Sequence, residues 1–415
     1  MSYFRIYIYL TICNFIKSVL FSSTKQKERK IEKIFNKTTN KKFSFLTSQL
    51  RVGFILVLKY LTKKFPTKNA VIVNSYNLGE MVNICHNFKL KIVFTKLNKN
   101  VFINSKDLLK KINKNTLAVV VTNIFNNQED ILRIKNICKK KKIILIEDNA
   151  IYFGNYFQSG SKKIYSGSFG DYSLHSFNIM KNISGMFGGL VSTDDKDFIK
   201  FAERENESYR RFPYIKYFNQ IIVFFILKIF SIQFFYKSIF FQLIKQAHKK
   251  NKKYILKTIY PSLKFDKKSN FKSYLYKINS LTVNMVYEQL RDFNSFLVNY
   301  KLRMSNNLYY EKLFNQCKIK NLEIIKIRNK TFQNFNEYPI IINDKNRLKD
   351  YLFDKGIETK MIQYVDCQKI FKNKNKKDTL DSFENKILCL PNHKNISKKY
   401  ISYIVDNIKY FYNRN

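Results

Sequence analysis

Between about residues 44 and 200, short β-branched runs alternate with stretches whose apolar residues recur at helical spacing. Leu50 to Leu61 reads as a helix, Ala70 to Asn74 as a strand, and Met81 to Phe88 as a helix. Leu90 to Phe94 and Leu117 to Val121 read as strands, Glu129 to Lys141 as a charged helix, and Ile143 to Ile146 as a buried strand. This alternation predicts an α/β domain on a largely parallel sheet, which takes ligands at the carboxyl ends of its strands. A long helical region follows from about Leu281 to Phe314, with Tyr287, Leu290, Phe293, Phe296 and Leu297 at helical spacing. Beyond it, Glu337 to Ile342, a helix at Arg347 to Lys355, Leu388 to Pro391 and a final helix predict a smaller α/β domain.

Two segments break the pattern. Met1 to Ser22 is apolar and aromatic but carries Arg5 and Lys17, and it lacks the layout of a signal peptide. Tyr214 to Gln246 is rich in Phe and Ile, yet Lys228 and Lys237 interrupt it, which argues against a membrane span. Gln220, Ser231, Ser238, Gln242 and Lys245 recur at helical spacing as a polar stripe. The segment therefore reads either as an interfacial amphipathic helix or as a helix packed on a partner subunit. Residues 24–42 are Lys-rich and weakly patterned, as in a linker. Four regions result: an apolar and basic N-terminal segment with linker (1–43), a large domain (44–204), an aromatic-rich insertion (205–270), and an interdomain helix with a small C-terminal domain (271–415).

Charge changes this picture little. The 415 residues hold 76 Lys+Arg against 30 Asp+Glu, a formal charge of +46. The lysines are spread along the chain among Asn, Ile, Phe and Tyr, the bias of an AT-rich coding sequence, so no nucleic acid partner is expected. Six cysteines lie far apart with no C-x-x-C, so neither a metal site nor a disulfide framework is expected, and the cytoplasm fits best.

Glycine does change it. Of ten glycines, seven fall between Gly154 and Gly189. Glycine is kept where the backbone takes positive φ or approaches a ligand closely. Just before this stretch, Glu147-Asp148 ends the strand Ile143 to Ile146, at the edge of the expected crevice; a turn or cap acid is the plainer reading. Within it, Gly167-Ser-Phe-Gly-Asp171 is followed by Ser176, Lys181 and Gly188-Gly189. One lysine among so many means nothing alone. A lysine with Ser five residues earlier, glycines on both sides and a strand-end Asp upstream is the set pyridoxal 5'-phosphate requires: an amine for the aldehyde, a carboxylate for the pyridine nitrogen, and hydroxyl and backbone N–H groups for the phosphate.

These residues resemble the core of the DegT/DnrJ/StrS family of sugar aminotransferases. The run I-E-D-N-A…G154…G160…G167-S-F-G-D…H-S-F-N-I-M-K-N-I…G188-G-L-V-S-T-D-D is similar to that family's pattern. So are Thr47-Ser-Gln-Leu-Arg-Val, Asn74-Ser75-Tyr76, Glu288-Gln289-Leu290 with Arg303 and Tyr309-Tyr310, Tyr338-Pro339, Gly356-Ile357-Glu358-Thr359 and Leu390-Pro391-Asn392-His393. The resemblance covers about residues 45–411, apart from an insertion near 205–270. It implies aminotransferase fold type I: a large, mixed, mostly parallel sheet domain plus a small C-terminal α/β domain. It also implies a homodimer moving an amino group, usually from glutamate, onto a nucleotide-linked keto sugar for surface polysaccharide. Carried over, Lys181 is the Schiff-base lysine and general base, Asp148 pairs with the pyridinium nitrogen, and Ser176 contacts the phosphate. Relatives that are dehydratases have His in place of the lysine.

The sequence departs from the family at Leu78, where an aromatic ring usually stacks on the cofactor, and at Ile151, where Gln or His usually stands. The first turn reads Ser48-Gln49-Leu50-Arg51 instead of S-G-T. A lost stack and hydrogen bond cost about 1–3 kcal/mol of cofactor binding. Arg51 either offsets this by pairing with the phosphate or is a helix-surface residue. The alternatives to the aminotransferase are a pyridoxal-phosphate sugar dehydratase and a non-catalytic homologue acting as a membrane-associated or regulatory subunit. Peripheral contact with the inner face of the membrane is expected only through residues 214–246.

Overall fold

The computed structural model describes residues 2–5, 7–249, 270–291, 293–327, 331–359, 364–372 and 383–414. Part of the insertion, residues 250–269, lies outside them.

The N-terminal half carries helices α1 (Ile12–Leu20), α2 (Lys25–Thr39), α3 (Leu50–Lys64), α4 (Gly79–Asn87), α5 (Ser105–Lys111), α6 (Gln128–Lys141), α7 (Lys196–Glu207) and α8 (Tyr214–Phe230). Its strands are β1 (Phe43–Thr47), β2 (Ala70–Asn74), β3 (Tyr76–Asn77), β4 (Lys91–Thr95), β5 (Thr116–Thr122), β6 (Ile144–Asp148), β7 (Tyr156–Ser159), β8 (Lys162–Tyr165), β9 (Tyr172–Ser176) and β10 (Gly189–Thr193). A seven-stranded sheet has the order β1-β10-β9-β6-β5-β2-β4. Strands β9, β6, β5, β2 and β4 pair in parallel, and β10 runs antiparallel between β9 and β1.

The sheet is apolar on both faces because helices cover both. Val71, Val73, Ala118, Val120 and Ile146 pack with α3 and α4 on one side. The alternate residues Ile72, Val119, Val121 and Leu145 pack with Leu108 of α5 and Ile131, Ile134 and Cys138 of α6 on the other.

The C-terminal part holds β11 (Leu322–Ile324), β12 (Thr331–Phe332), β13 (Tyr338–Ile342), β14 (Val365–Asp366) and β15 (Ile387–Leu390). Strands β11, β13 and β15 form an antiparallel sheet. It buries a separate core with the helices Lys345–Asp354 and Lys398–Arg414 and the C-terminal end of the helix Phe293–Cys317. Two links return to the large sheet's side: β12 pairs with β7, and β14 pairs with β3.

Two expectations change. Residues 24–42 are not a linker, for α2 occupies most of them. Thr24 caps it, Ile31 and Phe35 bury one turn apart, and Asn40 ends it in the left-handed region at φ 51°. Abundant lysine hid this narrow apolar stripe. The long helix after Leu281 is two helices, Ser280–Leu290 and Phe293–Cys317. The N-terminal residues are also part of the fold: Phe4, Ile8 and Leu10 are buried, His393 Nε2 lies 2.9 Å from the Phe4 carbonyl, and Lys228 Nζ donates to the Ile8 carbonyl at 2.8 Å.

The insertion forms a bent pair, Tyr214–Phe230 and Gln233–Ala247, meeting at 81°. No single helix among the described residues is long and apolar enough to cross a membrane.

Candidate active site

Strand β6 sends its last two carboxylates to opposite sides, as β geometry requires. Glu147 turns toward the Gly167–Gly170 loop. Its Oε1 accepts from Phe169 N (2.7 Å) and Gly170 N (2.6 Å), and its Oε2 from Gly167 N (3.2 Å) and Asn123 Nδ2 (3.2 Å). The acid is fully buried and clasps the loop. Gly167 takes φ +92°, and a Cβ there would stand 2.7 Å from Ser173 Oγ. That explains one of the clustered glycines without any ligand.

Asp148 is the opposite case. It is 4% exposed, and its Oδ1 accepts from Ala150 N at 3.0 Å. Burial raises its carboxyl from the ordinary range to about 6, against the Ala150 N–H and the charge of Lys181, which both lower it. Asp148 and Lys181 are thus within electrostatic reach of each other.

Lys181 rides on a loop between β9 and β10, half-buried. Phe177 N and Gly185 N close the loop onto Gly188 O (3.0 Å) and Phe177 O (2.7 Å). The helix Ser280–Leu290 braces it. Gln289 Nε2 donates to Ser184 O (2.7 Å), its Oε1 accepts from Ser184 N (3.1 Å), and Thr282 Oγ1 donates to Gly185 O (3.1 Å). Asn182, next to the lysine, donates to Ile151 O at 3.3 Å and accepts from Arg303 Nη2 at 2.8 Å. Gln289 and Arg303 entered the sequence reading only as motif letters; the structure makes them the supports of the lysine loop.

Ser176 ends β9, half-buried, and stands opposite Gly189 in the β9–β10 register. Gly189 also touches α3: a Cβ there would stand 2.3 Å from Leu50 N. The N-terminus of α3 therefore lies beside the β9–β10 ladder, with Gly188 N donating to Ser48 O at 2.7 Å. This helix start has no side-chain cap, and Ser48 Oγ and Gln49 Oε1 are buried without hydrogen-bond partners. An uncapped helix N-terminus with an orphaned hydroxyl beside it, and Ser176 near by, has the donor chemistry for a phosphate. Together with the buried Asp148 and Lys181, the residues present fit pyridoxal phosphate. Arg51 sits at the same helix end, where its guanidinium stacks 4.4 Å from the Tyr274 ring centroid.

The two departures have clear surroundings. Leu78 caps α4 and packs into the large core, and Ile151 packs against the small domain's core. Tyr364, just before β14, was missed by sequence reasoning. Its ring centroid lies 5.7 Å from that of Tyr76, and burial chiefly, with the charge of Asp148 next, pushes its hydroxyl pKa upward. Its only sequence signal is its place shortly after Gly356-Ile357-Glu358-Thr359.

Behind the site, Asn149 Nδ2 donates to Ser173 Oγ (2.9 Å), which meets His175 Nε2 at 3.0 Å. Burial takes His175 down to about 3, so it is neutral.

The family model for DegT/DnrJ/EryC1/StrS aminotransferases matches residues 11–222 and 239–409. The chain belongs to this family. The match is interrupted inside the bent helical insertion. GDP-perosamine synthase of Vibrio cholerae is 32% identical over 122 residues, 29% of this chain and 32% of that protein. The chain's alignments with its curated relatives span less than half of their length. Among solved structures, PseC of Helicobacter pylori, an aminotransferase involved in the biosynthesis of pseudoaminic acid, superposes with TM-score 0.73 at 15% identity, covering 100% of both chains. The PLP form of the putative sugar aminotransferase Spr1654 from Streptococcus pneumoniae does so with TM-score 0.72 at 14% identity, covering 100% of this chain and 99% of that one. The fold is therefore aminotransferase fold type I, as the resemblance implied.

Proposed function

We propose that the chain is a pyridoxal-phosphate aminotransferase that moves an amino group, from glutamate, onto a nucleotide-linked keto sugar for surface polysaccharide, working as a homodimer. The observation that carries this reading is a buried Asp148 within electrostatic reach of Lys181 at the carboxyl end of the sheet, beside an uncapped helix start. Family membership and the naming of V. cholerae GDP-perosamine synthase support it.

Bound there, pyridoxal phosphate supplies an aldehyde carbon and an electron sink. Asp148 would hold the proton of the ring nitrogen, the task for which a desolvated carboxylate within reach of a cation is suited. The α3 amides, Ser48 and Ser176 would hold the phosphate. Lys181 Nζ takes and returns the proton that migrates during transfer, steadied by Gln289, Thr282 and the Arg303–Asn182 contact. A lysine here, and not a histidine, favours transamination over dehydration. Tyr364 and Tyr76 supply aromatic surface that Leu78 lacks. The test is cofactor binding by the wild type beside Lys181→Ala.

The reading extends to peripheral contact with an anionic membrane through the insertion. On α8, Ile215, Phe218, Ile222, Ile226 and Ile229 form an exposed apolar stripe. Lys228 does not interrupt it, because its ammonium is turned inward to the Ile8 carbonyl, between the rings of Tyr7 and Phe224. Arg211, Lys216 and Lys237 are exposed in the same stretch of chain. A second copy would bring like charges together, whereas anionic headgroups complement them.

A further inference from the structure

Two stretches of the chain lie outside the family pattern: the residues before 11 and residues 223–238. The structure packs them on each other. At the chain start Phe4, Ile8 and Leu10 are buried. Phe4 meets the rings of Phe230 and Tyr236, with centroids 5.7 and 5.4 Å apart. Ile8 and Leu10 share a core with Phe224. Polar contacts hold the same pairing. Lys228 Nζ donates to the Ile8 carbonyl at 2.8 Å. Tyr236 Oη donates to Glu358 Oε2 at 2.6 Å, and Arg5 Nε stands 3.4 Å from Glu358 Oε1. Phe224, Lys228, Phe230 and Tyr236 all fall inside the unmatched stretch.

The intervening residues Arg5, Tyr7 and Tyr9 serve another surface. Together with Met180, Arg303 and His393 they line a cleft of about 340 Å³ beside the lysine loop, where Met180 adjoins Lys181. The Tyr7 ring stacks on that of His393 at 5.7 Å, and the Arg303 guanidinium lies 5.0 Å from the Tyr9 ring centroid. The N-terminal segment is thus a wall with one side on the cleft and the other on the insertion. Chain ends are poorly ordered unless something ties them down, and here the insertion does so. Side chains that shape a site stand only as firmly as the layer behind them.

We infer that Lys228 and Tyr236 are positioning residues. Through the N-terminal segment they set where Arg5, Tyr7 and Tyr9 stand, and the insertion thereby determines what the cleft accepts. Neither of the two lines the cleft itself. The link from the cleft to amino transfer rests on the aminotransferase reading; the hold on the wall stands on the contacts alone.

The chain contains no Trp, so Tyr7→Trp installs a single fluorescent reporter on the wall. Acrylamide quenching of the full chain carrying it is compared with and without Lys228→Met, Lys228→Arg and Tyr236→Phe. Quenching should rise about threefold with Lys228→Met and about twofold with Tyr236→Phe, as a tied segment opens locally. Lys228→Arg keeps a cationic donor and should restore most of the protection. Tyr236→Phe deletes only a hydroxyl, so it decides the matter if Lys228→Met does not fold. Quenching equal to the parent's in the folded variants overturns the inference.

A second readout uses the same substitutions without the reporter, in the chain loaded with pyridoxal phosphate and titrated with glutamate. With Lys228→Met the half-saturating glutamate concentration should rise about fivefold while the maximal bleaching rate stays within about twofold, because the wall has moved and Lys181 has not. Altered quenching with an unchanged half-saturation overturns the inference as well. A parent chain that forms no cofactor band strikes the aminotransferase reading, and quenching then judges the wall by itself.

Discussion

Gln289 grips Ser184 from both sides, donating to its carbonyl at 2.7 Å and accepting from its N–H at 3.1 Å. One primary amide thereby fixes the loop that carries Lys181 to the helix Ser280–Leu290. Gln289→Ala removes both bonds and leaves two backbone groups to find water. A stability loss of about 1–3 kcal/mol is expected, read by chemical denaturation. Amide exchange at residues 182–185 should quicken more than elsewhere in the sheet. An unchanged exchange pattern would remove Gln289 from the loop's support.

Glu147 and Asp148 are neighbours with opposite tasks. Glu147 satisfies three backbone N–H groups and the Asn123 amide. Glu147→Ala should cost at least ~3 kcal/mol, since it strands several buried donors. Its effect should be as large without cofactor as with it.

Asp148 should act on stability with the other sign. Its folded pKa of about 6 lies above the ordinary 3.8. The folded chain thus holds this proton more tightly than the unfolded chain. The resulting stabilisation is complete below the unfolded pKa and is lost as pH rises through about 6. Asp148→Asn has no such loss. Without cofactor, the variant should gain on the wild type as pH rises from 4 to 7, levelling near ~3 kcal/mol. With pyridoxal phosphate added, the order should reverse, because only the carboxylate holds the ring proton. Denaturation curves at several pH values, with and without cofactor, read both signs.

Much of this was legible in the sequence. β-branched runs such as Ala70 to Asn74 have one reading as buried parallel strands, and Glu147-Asp148 marked a strand end without any structure. What stayed hidden has physical reasons. Ile31 and Phe35 sit among eight Lys and Arg in α2 and its flanks, too few to set a visible period. Tyr364 reaches the site through the β14–β3 pairing, a contact between residues far apart in the chain. Lys228 looked like a break in an apolar face, and only the fold reveals that Ile8 draws it inward.

The insertion's outer stripe gives a prediction of its own. Ile222→Asp with Ile226→Asp places two charges on an exposed apolar surface and should leave the fold intact. The double variant should float with anionic vesicles at most one tenth as well as wild type, and high salt should weaken the wild type's binding. Equal flotation of both proteins would remove the stripe from membrane contact.

The most direct test of the central claim is the near-visible absorbance of the purified protein with added pyridoxal phosphate, beside Lys181→Ala. The account predicts a lysine-linked cofactor band in the wild type, bleached by glutamate and missing in the variant. A wild type without that band at saturating cofactor, or a band that survives in Lys181→Ala, would contradict it.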